Sequence, residues 1–288
     1  LAACVGAMLA VASPQYTWTL FSTPLAEGLG VRLSEVQVAF TLFILMQSWL
    51  VPVLGYAVDR FSARLVVAAG GVLVGFSWIA SGLTQSLGGL YLAYAMGGIG
   101  VAAVYGACLG TVLRWFPDRR GLAAGLAVGA YGSGAVLTVM PIQWAIAQAG
   151  YRAAFVGWGL LQGLAVVALA WVIVTPYAGW RPRAGSAAPP VRAAAASLRP
   201  AEMVRTRAFG LMYVVAVLVT FGGLLVTAQL KPMAVSAGLD GTSLPGGMGM
   251  NTLTIALMAN LAVGALARPF WGWLSDRHGR KIMVERAM

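Results

Sequence analysis

Eight stretches of this chain are long and apolar enough to cross a lipid bilayer as helices: roughly 1–25, 36–56, 65–84, 88–113, 121–145, 153–175, 208–230 and 249–271. A crossing helix needs about 20 mostly apolar residues. Hydrocarbon offers no water to an unpaired backbone, so only helices and closed barrels span it, and runs this long without period-2 alternation predict helices. The composition agrees, with 60% hydrophobic and 9% charged residues; a soluble domain is about one quarter charged. An all-α membrane protein with eight transmembrane helices is expected. The first run is too long for the apolar core of a cleaved signal peptide. The sequence opens at Leu1 inside that run and stops at Met288 just after a basic cluster, so it reads as a fragment.

The net charge of +11 raises the question of nucleic acid, and its distribution answers it. Between consecutive runs, fifteen basic residues fall on one side: Arg60, Arg64, Arg114, Arg119, Arg120, Arg181, Arg183, Arg192, Arg199, Arg205, Arg207, Arg277, Arg280, Lys281 and Arg286. The opposite loops hold three, Arg32, Arg152 and Lys231. This asymmetry is the positive-inside signature, so the even-to-odd loops are expected in the cytoplasm and no nucleic-acid partner is expected. Cys4 and Cys108 both fall in apolar runs, which is neither a disulfide framework nor a metal site. Arginine outnumbers lysine 17 to 2 in a chain rich in Ala and Gly, which suggests a GC-rich bacterial genome and hence the inner cell membrane. Segment 176–207 is rich in Ala, Pro, Arg and Gly and reads as a flexible cytoplasmic linker. It separates a bundle over 1–175 from the start of a second over 208–288.

Two short sequences repeat. GYAVDRFSAR spans Gly55–Arg64 and GWLSDRHGRK spans Gly272–Lys281; both follow G-x-x-x-D-R, with Pro52 and Pro269 three residues before each glycine. The copies lie six runs apart, the mark of parallel structural repeats. Each puts an Asp–Arg pair at a helix end, Asp59 with Arg60 and Asp276 with Arg277, where a carboxylate beside a guanidinium can latch neighbouring helices in one conformation and release them in another. The alternative is a satisfied surface ion pair of little energetic worth. On these motifs the chain resembles the major facilitator superfamily. That resemblance implies a helical bundle of two pseudo-symmetric six-helix halves, of which this chain would hold one half and two helices of the other. The first copy departs from the superfamily motif at Ser62, where Gly is usual, and at Ala63, where a basic residue is usual.

Further stretches resemble one branch, the oxalate/formate antiporter family: SPQYTWTLFSTPL (13–25), GVAAVYG (100–106), RWFPDRRGLAAGL (114–126) and GAYGSG (129–134). Independently of that resemblance, Gln15, Trp18, Thr19 and Ser22 are spaced i, i+3, i+4, i+7, a polar stripe that must face a bundle interior or a water-filled cavity. Pro14 frees a backbone carbonyl beside it. Tyr16 and Trp18 also suit an interfacial aromatic belt. Tyr105 and Tyr131 lie deep in their runs, where a buried tyrosine finds a hydrogen-bond partner. The resemblance places Gln15, Tyr16, Tyr105 and Tyr131 in a central substrate cavity. Gly97, Gly98, Gly106, Gly110, Gly121, Gly125 and Gly129 are expected to serve close helix packing.

Arg268 stands inside the last run, where lipid penalises a central arginine by at least ~2.5 kcal/mol. Three readings are open: its stem snorkels to the cytoplasmic interface, it pairs with an acid, or it pairs with an anionic substrate. All eight acids (Glu27, Glu35, Asp59, Asp118, Glu202, Asp240, Asp276, Glu285) sit in loops or at their edges. Aligning the two prolines puts Val51 opposite Arg268, so the repeat tolerates an apolar residue there. A guanidinium fork suits a carboxylate, to which it donates two parallel hydrogen bonds. The resemblance adds weight to the substrate reading and implies a second cation, a lysine in the eleventh helix, past the end of this sequence.

The expected function is a secondary transporter exchanging small carboxylate anions by alternating access, with Arg268 holding the carboxylate. The gating loops would be Gly55, Asp59, Arg60, Gly272, Asp276 and Arg277. No intramembrane acid offers a proton relay, which favours anion exchange or facilitated diffusion over proton symport. Transport of another small solute, or a non-transporting membrane receptor, are the alternatives. With one histidine, His278 in a loop, and no paired acids, no catalytic constellation, metal site or cofactor is expected; nor is there a nucleotide-binding G-x-x-x-x-G-K-[ST] loop. The expected partners are a small organic anion and the bilayer, and the protein is expected to be monomeric.

Overall fold

The computed structural model describes residues 1–176, 200–236 and 252–278. Ten helices are described: α1 (Ala2–Ala10), α2 (Ser13–Tyr16), α3 (Trp18–Leu29), α4 (Leu33–Phe61), α5 (Ala63–Leu83), α6 (Leu87–Trp115), α7 (Arg120–Val172), α8 (Pro200–Val204), α9 (Arg207–Ser236) and α10 (Thr252–His278). No strand occurs among the described residues. Among the described residues, four helical stretches are long and apolar enough to cross a membrane: Leu33–Val51, Ala63–Leu83, Leu87–Trp115 and Arg120–Val172. The chain divides into two compact units, Leu1–Ala184 with Leu261–Met288, and Gly185–Asn260. In the second unit, α8 leads into α9. Everything that follows concerns the first. Most of the segment expected to be a linker, 177–199, lies outside the described residues.

Local chemistry sets the helix ends. Gly30 ends α3 in the left-handed region at φ 67. The Glu35 carboxylate accepts a hydrogen bond from the Arg32 backbone N–H at the start of α4, 2.8 Å away. Ser86 caps α6, its hydroxyl accepting from the Gly89 N–H at 3.2 Å. The fifth and sixth expected crossings form the two arms of α7, joined at Gly150, whose φ of 79 and ψ of 163 break the helical path. That combination is accessible essentially only to glycine.

The first expected crossing is three pieces rather than one helix. Pro14 has no N–H to give the carbonyl of Ala10, the chain turns at Val11–Ala12, and Thr17 leaves helical geometry at φ −99, ψ 4. Side chains bond to the carbonyls here: the Thr17 hydroxyl donates to the Ser13 carbonyl at 2.8 Å, and the Tyr94 hydroxyl to the Pro14 carbonyl at 3.3 Å. The polar stripe expected along this helix is therefore split. Gln15 sits on α2. Trp18 on α3 is buried, its indole N–H donating to Gln37 Oε1 at 2.8 Å and its ring lying edge-on to Tyr94 at 4.4 Å. Thr19 is exposed, and the Ser22 hydroxyl turns back to the Thr19 carbonyl.

Small residues bring the helices together and large ones face outward. Gly75 of α5 lies against Gly159 and Gly163 of α7, and Gly70 against Gly100 of α6. Gly97 and Gly98 meet Ser77 and the Phe43 carbonyl. In contrast to the expectation of close packing, a methyl at Gly106 would barely touch Val51, and Gly110 borders open space. Phe21, Trp78 and Phe155 join α3, α5 and the second arm of α7, Phe21 stacking on Phe155 at 3.9 Å. Trp49, Leu92, Trp144, Leu164 and Trp171 are exposed, as lipid-facing side chains would be. Cys4 and Cys108 are buried free thiols.

Ser62, between α4 and α5, has φ 118 and ψ 148, a region other residues enter at a cost of about 1–3 kcal/mol. This is the position where the superfamily motif uses glycine. Serine repays part of the cost, its hydroxyl accepting from the Leu65 N–H at 3.5 Å to cap α5. A cap exchanged for glycine loses only a few tenths of a kcal/mol. Ser62→Gly is thus expected to raise the unfolding temperature of the detergent-solubilised protein, and an unchanged or lower Tm would refute the strain.

Candidate functional site

Three elements bring the expected polar residues to one place. Gln15 and Tyr16 come from α2, Tyr105 from α6 and Tyr131 from α7. The Tyr131 hydroxyl donates to Gln15 Oε1 at 2.6 Å. The Tyr16 ring lies 5.6 Å from Tyr131, and Tyr105 meets Tyr131 edge-on at 5.5 Å and 86°. Tyr131 is 4% exposed, so it forms the floor of the cluster while Tyr16 and Tyr105 remain half-buried.

A fifth member escaped the sequence reading. Gln47 of α4 donates through Nε2 to both Gln15 Oε1 and the Tyr131 hydroxyl, each at 3.1 Å. Its own Oε1 is buried without a hydrogen-bond partner among the described residues, a condition costing about 1–3 kcal/mol. The signal was available: Gln47 is an amide in the middle of the second apolar run, where a polar group is costly. Attention to charge and to the stripe on the first run passed over it.

Arg268 stands exposed on α10, and its side chain extends along α7 toward the level of Tyr131. Its backbone carbonyl lies against Gly125 of α7, while its Nη1 donates to the Val128 carbonyl at 3.2 Å and lies 2.6 Å from where a Gly132 side chain would begin. The side chain thus climbs seven residues along α7, about 10 Å, away from the helix end at Arg120. Helical side chains lean toward their own N-terminus, which explains the direction. This is opposite to the snorkelling path toward Asp276. Tyr105 lies within electrostatic reach of the guanidinium. No carboxylate among the described residues pairs with Arg268.

The second unusual contact lies at the start of α7. Gly121, Gly125 and Gly129 form one side of the helix, and the carbonyls of Gly272, Arg268 and Ala265 settle onto them; a methyl at Gly129 would sit 2.7 Å from the Ala265 oxygen. Beyond the glycines, Asp276 Oδ1 accepts from the Gly121 N–H at 2.8 Å and Oδ2 from the Leu122 N–H at 2.7 Å. A carboxylate here satisfies two N–H groups that a helix start leaves unpaired and meets the positive end of the dipole. The partner of Asp276 is thus a helix terminus rather than the neighbouring guanidinium, and Arg277 instead lies 5.5 Å from the Trp273 ring centre. The first copy of the repeat differs: Gly55, Asp59 and Arg60 end α4, Arg60 is exposed, and nothing stands within 4 Å of a methyl built on Gly55. The Asp59 side chain lies outside the described residues. Among the described residues no group of three or more His, Cys, Asp or Glu gathers as a metal site.

A sequence profile of the Major Facilitator Superfamily matches residues 3–285. Over 274 residues the chain is 36% identical to the oxalate:formate antiporter of Oxalobacter formigenes, covering 95% of this chain and 62% of that protein. It is 34% identical over 223 residues to mouse monocarboxylate transporter 11, covering 76% of this chain and 45% of the relative. An uncharacterized transporter of the same superfamily from Escherichia coli, YhjX, is 31% identical over 153 residues, 53% of this chain and 38% of that protein. The chain therefore spans less than two thirds of the length of these relatives. Profile, relatives, all-helical fold and glycine-lined helix contact agree: the chain belongs to the major facilitator superfamily.

Proposed function

We propose that this chain is the greater part of a secondary transporter that exchanges small carboxylate anions by alternating access, and that it is not an enzyme. The observation that carries the substrate class is Arg268: a permanent charge without a carboxylate partner among the described residues, extended along α7 toward the level of Tyr131. Its relatives named for oxalate, formate and monocarboxylates support the same class. In this reading Arg268 receives the carboxylate through two charge-assisted hydrogen bonds. Tyr131, Gln15 and Gln47 form a preset polar wall, and Tyr16 and Tyr105 supply aromatic faces that fix the size of the cargo. The unpartnered Gln47 oxygen suits a ligand or water that can donate a hydrogen bond.

In this reading the chain makes eight crossings: α1–α3 together, α4, α5, α6, the two arms of α7, α9 and α10. Segment 1–175 is then the first bundle, 176–207 a cytoplasmic linker and 208–288 the start of the second bundle. With the even-to-odd loops in the cytoplasm of a bacterial inner membrane, the contact of Asp276 with Gly121 and Leu122 closes the cytoplasmic side, and the repeat loops are the gates. The eight acids lie in loops or at their edges, outside the apolar centres of the runs, which favours exchange over proton coupling.

Three outcomes test this in proteoliposomes holding the intact carrier. Arg268→Gln is expected to weaken exchange of labelled oxalate or formate by about a hundredfold, the worth of hydrogen bonds to a charged group. Unchanged exchange would refute the role of Arg268. Gln47→Ala, which leaves Gln15 and Tyr131 without their shared donor, is expected to lower apparent affinity about tenfold with insertion intact. Asp276→Asn keeps the shape but loses the charge facing the dipole, an effect of about 0.3–2 kcal/mol. It is expected to shift the carrier toward the cytoplasm-open form, read as faster alkylation of a cysteine placed at Tyr105 from the cytoplasmic side.

A further inference from the structure

Arg268 is already occupied in the absence of cargo, and the place it occupies belongs to the opposite helix of the gate. Its Nη1 donates to the Val128 carbonyl of α7 at 3.2 Å. In a helix that oxygen also serves the N–H four residues further on, here that of Gly132, so the guanidinium holds a shared acceptor. Gly132 makes the position possible, since a methyl there would stand 2.6 Å from Nη1. Two turns away, the carbonyl of the same arginine is pressed against Gly125, so one residue contributes both a backbone contact and a side-chain tie to the contact between α7 and α10.

We propose that Gly132 and the Val128 carbonyl form a parking place for the Arg268 guanidinium, and that an arriving carboxylate releases the tie by competing for it. This rests on the carboxylate reading of the site. A neutral, shared carbonyl offers one hydrogen bond; a carboxylate offers two that are charge-assisted and about twice as strong each. Cargo therefore wins the arginine, and winning it removes one bond between α7 and α10. The empty carrier keeps that bond and stays closed on the side of Gly121 and Asp276, which makes movement conditional on cargo. Gly132 is thus a positioning residue, acting through Arg268 without touching the substrate.

The test uses the intact carrier in proteoliposomes with oxalate as probe. Gly132→Ala evicts the parked guanidinium, so apparent oxalate affinity should rise about tenfold, the worth of one hydrogen bond to a charged group. One-way efflux without trans oxalate should rise relative to exchange. If either change is absent while Arg268→Gln abolishes oxalate binding, the parking place is refuted and the carboxylate reading survives. If Arg268→Gln leaves oxalate binding intact, the carboxylate reading itself falls and takes the parking place with it. A second measurement is independent of how well Gly132→Ala folds. Spin labels at Arg119→Cys and Arg277→Cys, with Cys4 and Cys108 replaced by Ala, should show one short distance in the empty carrier and a longer population when oxalate is added. A distance distribution indifferent to oxalate would overturn the proposal.

Discussion

Three glycines on one side of α7 let the backbone of α10 come down onto it, and the rest of the site is built around that approach. In lipid there is no hydrophobic force between helices, so association relies on close contact and polar bonds. Gly121, Gly125 and Gly129 provide the contact, and the carboxylate of Asp276 provides the bonds. The same approach sets the height of Arg268 on α10, and that height decides that its guanidinium arrives near Gly132 and the tyrosine cluster instead of at the helix end. A residue larger than glycine at Gly125 would displace both the contact of Asp276 with the start of α7 and the charge.

Much of this was legible in the sequence, for reasons that can be named. Apolar length announces a crossing helix because lipid tolerates so few alternatives. The repeat around Gly55 and Gly272 was readable because both copies end a helix in the same way, and Gly121, Gly125 and Gly129 because their spacing puts them on one side. Arg268 stood out because its charge has no excuse in an apolar run. The superfamily profile matches residues 3–285, which takes in both copies of the repeat.

Other features depend on three-dimensional partners that spacing does not encode. A stripe at i, i+3, i+4, i+7 presumes an unbroken helix, and the breaks on either side of Gln15 divide it, burying Trp18 against Tyr94 and leaving Thr19 outside. Gln47 gains its meaning only from Gln15 and Tyr131, which lie 32 and 84 residues away along the chain. For Asp276, the adjacent arginine in the sequence concealed the actual partner, two backbone N–H groups at a helix start, 155 and 154 residues earlier. The equality of the two repeat copies also failed at the level of contacts, since Gly272 is covered and Gly55 is open.

Gln15 and Tyr16 occupy a four-residue helical segment with a break on either side. No long ladder of hydrogen bonds dictates where such a fragment points. Its pose is held by what its flanks grasp: the Tyr94 hydroxyl on the Pro14 oxygen, the Thr17 hydroxyl on the Ser13 oxygen, and the amide of Gln47. Side-chain position and main-chain trace are consequently one variable there. Whatever pulls on Gln15 also bends the chain, and a side-chain change as distant as Tyr94 moves the Gln15–Tyr131 cluster without belonging to it.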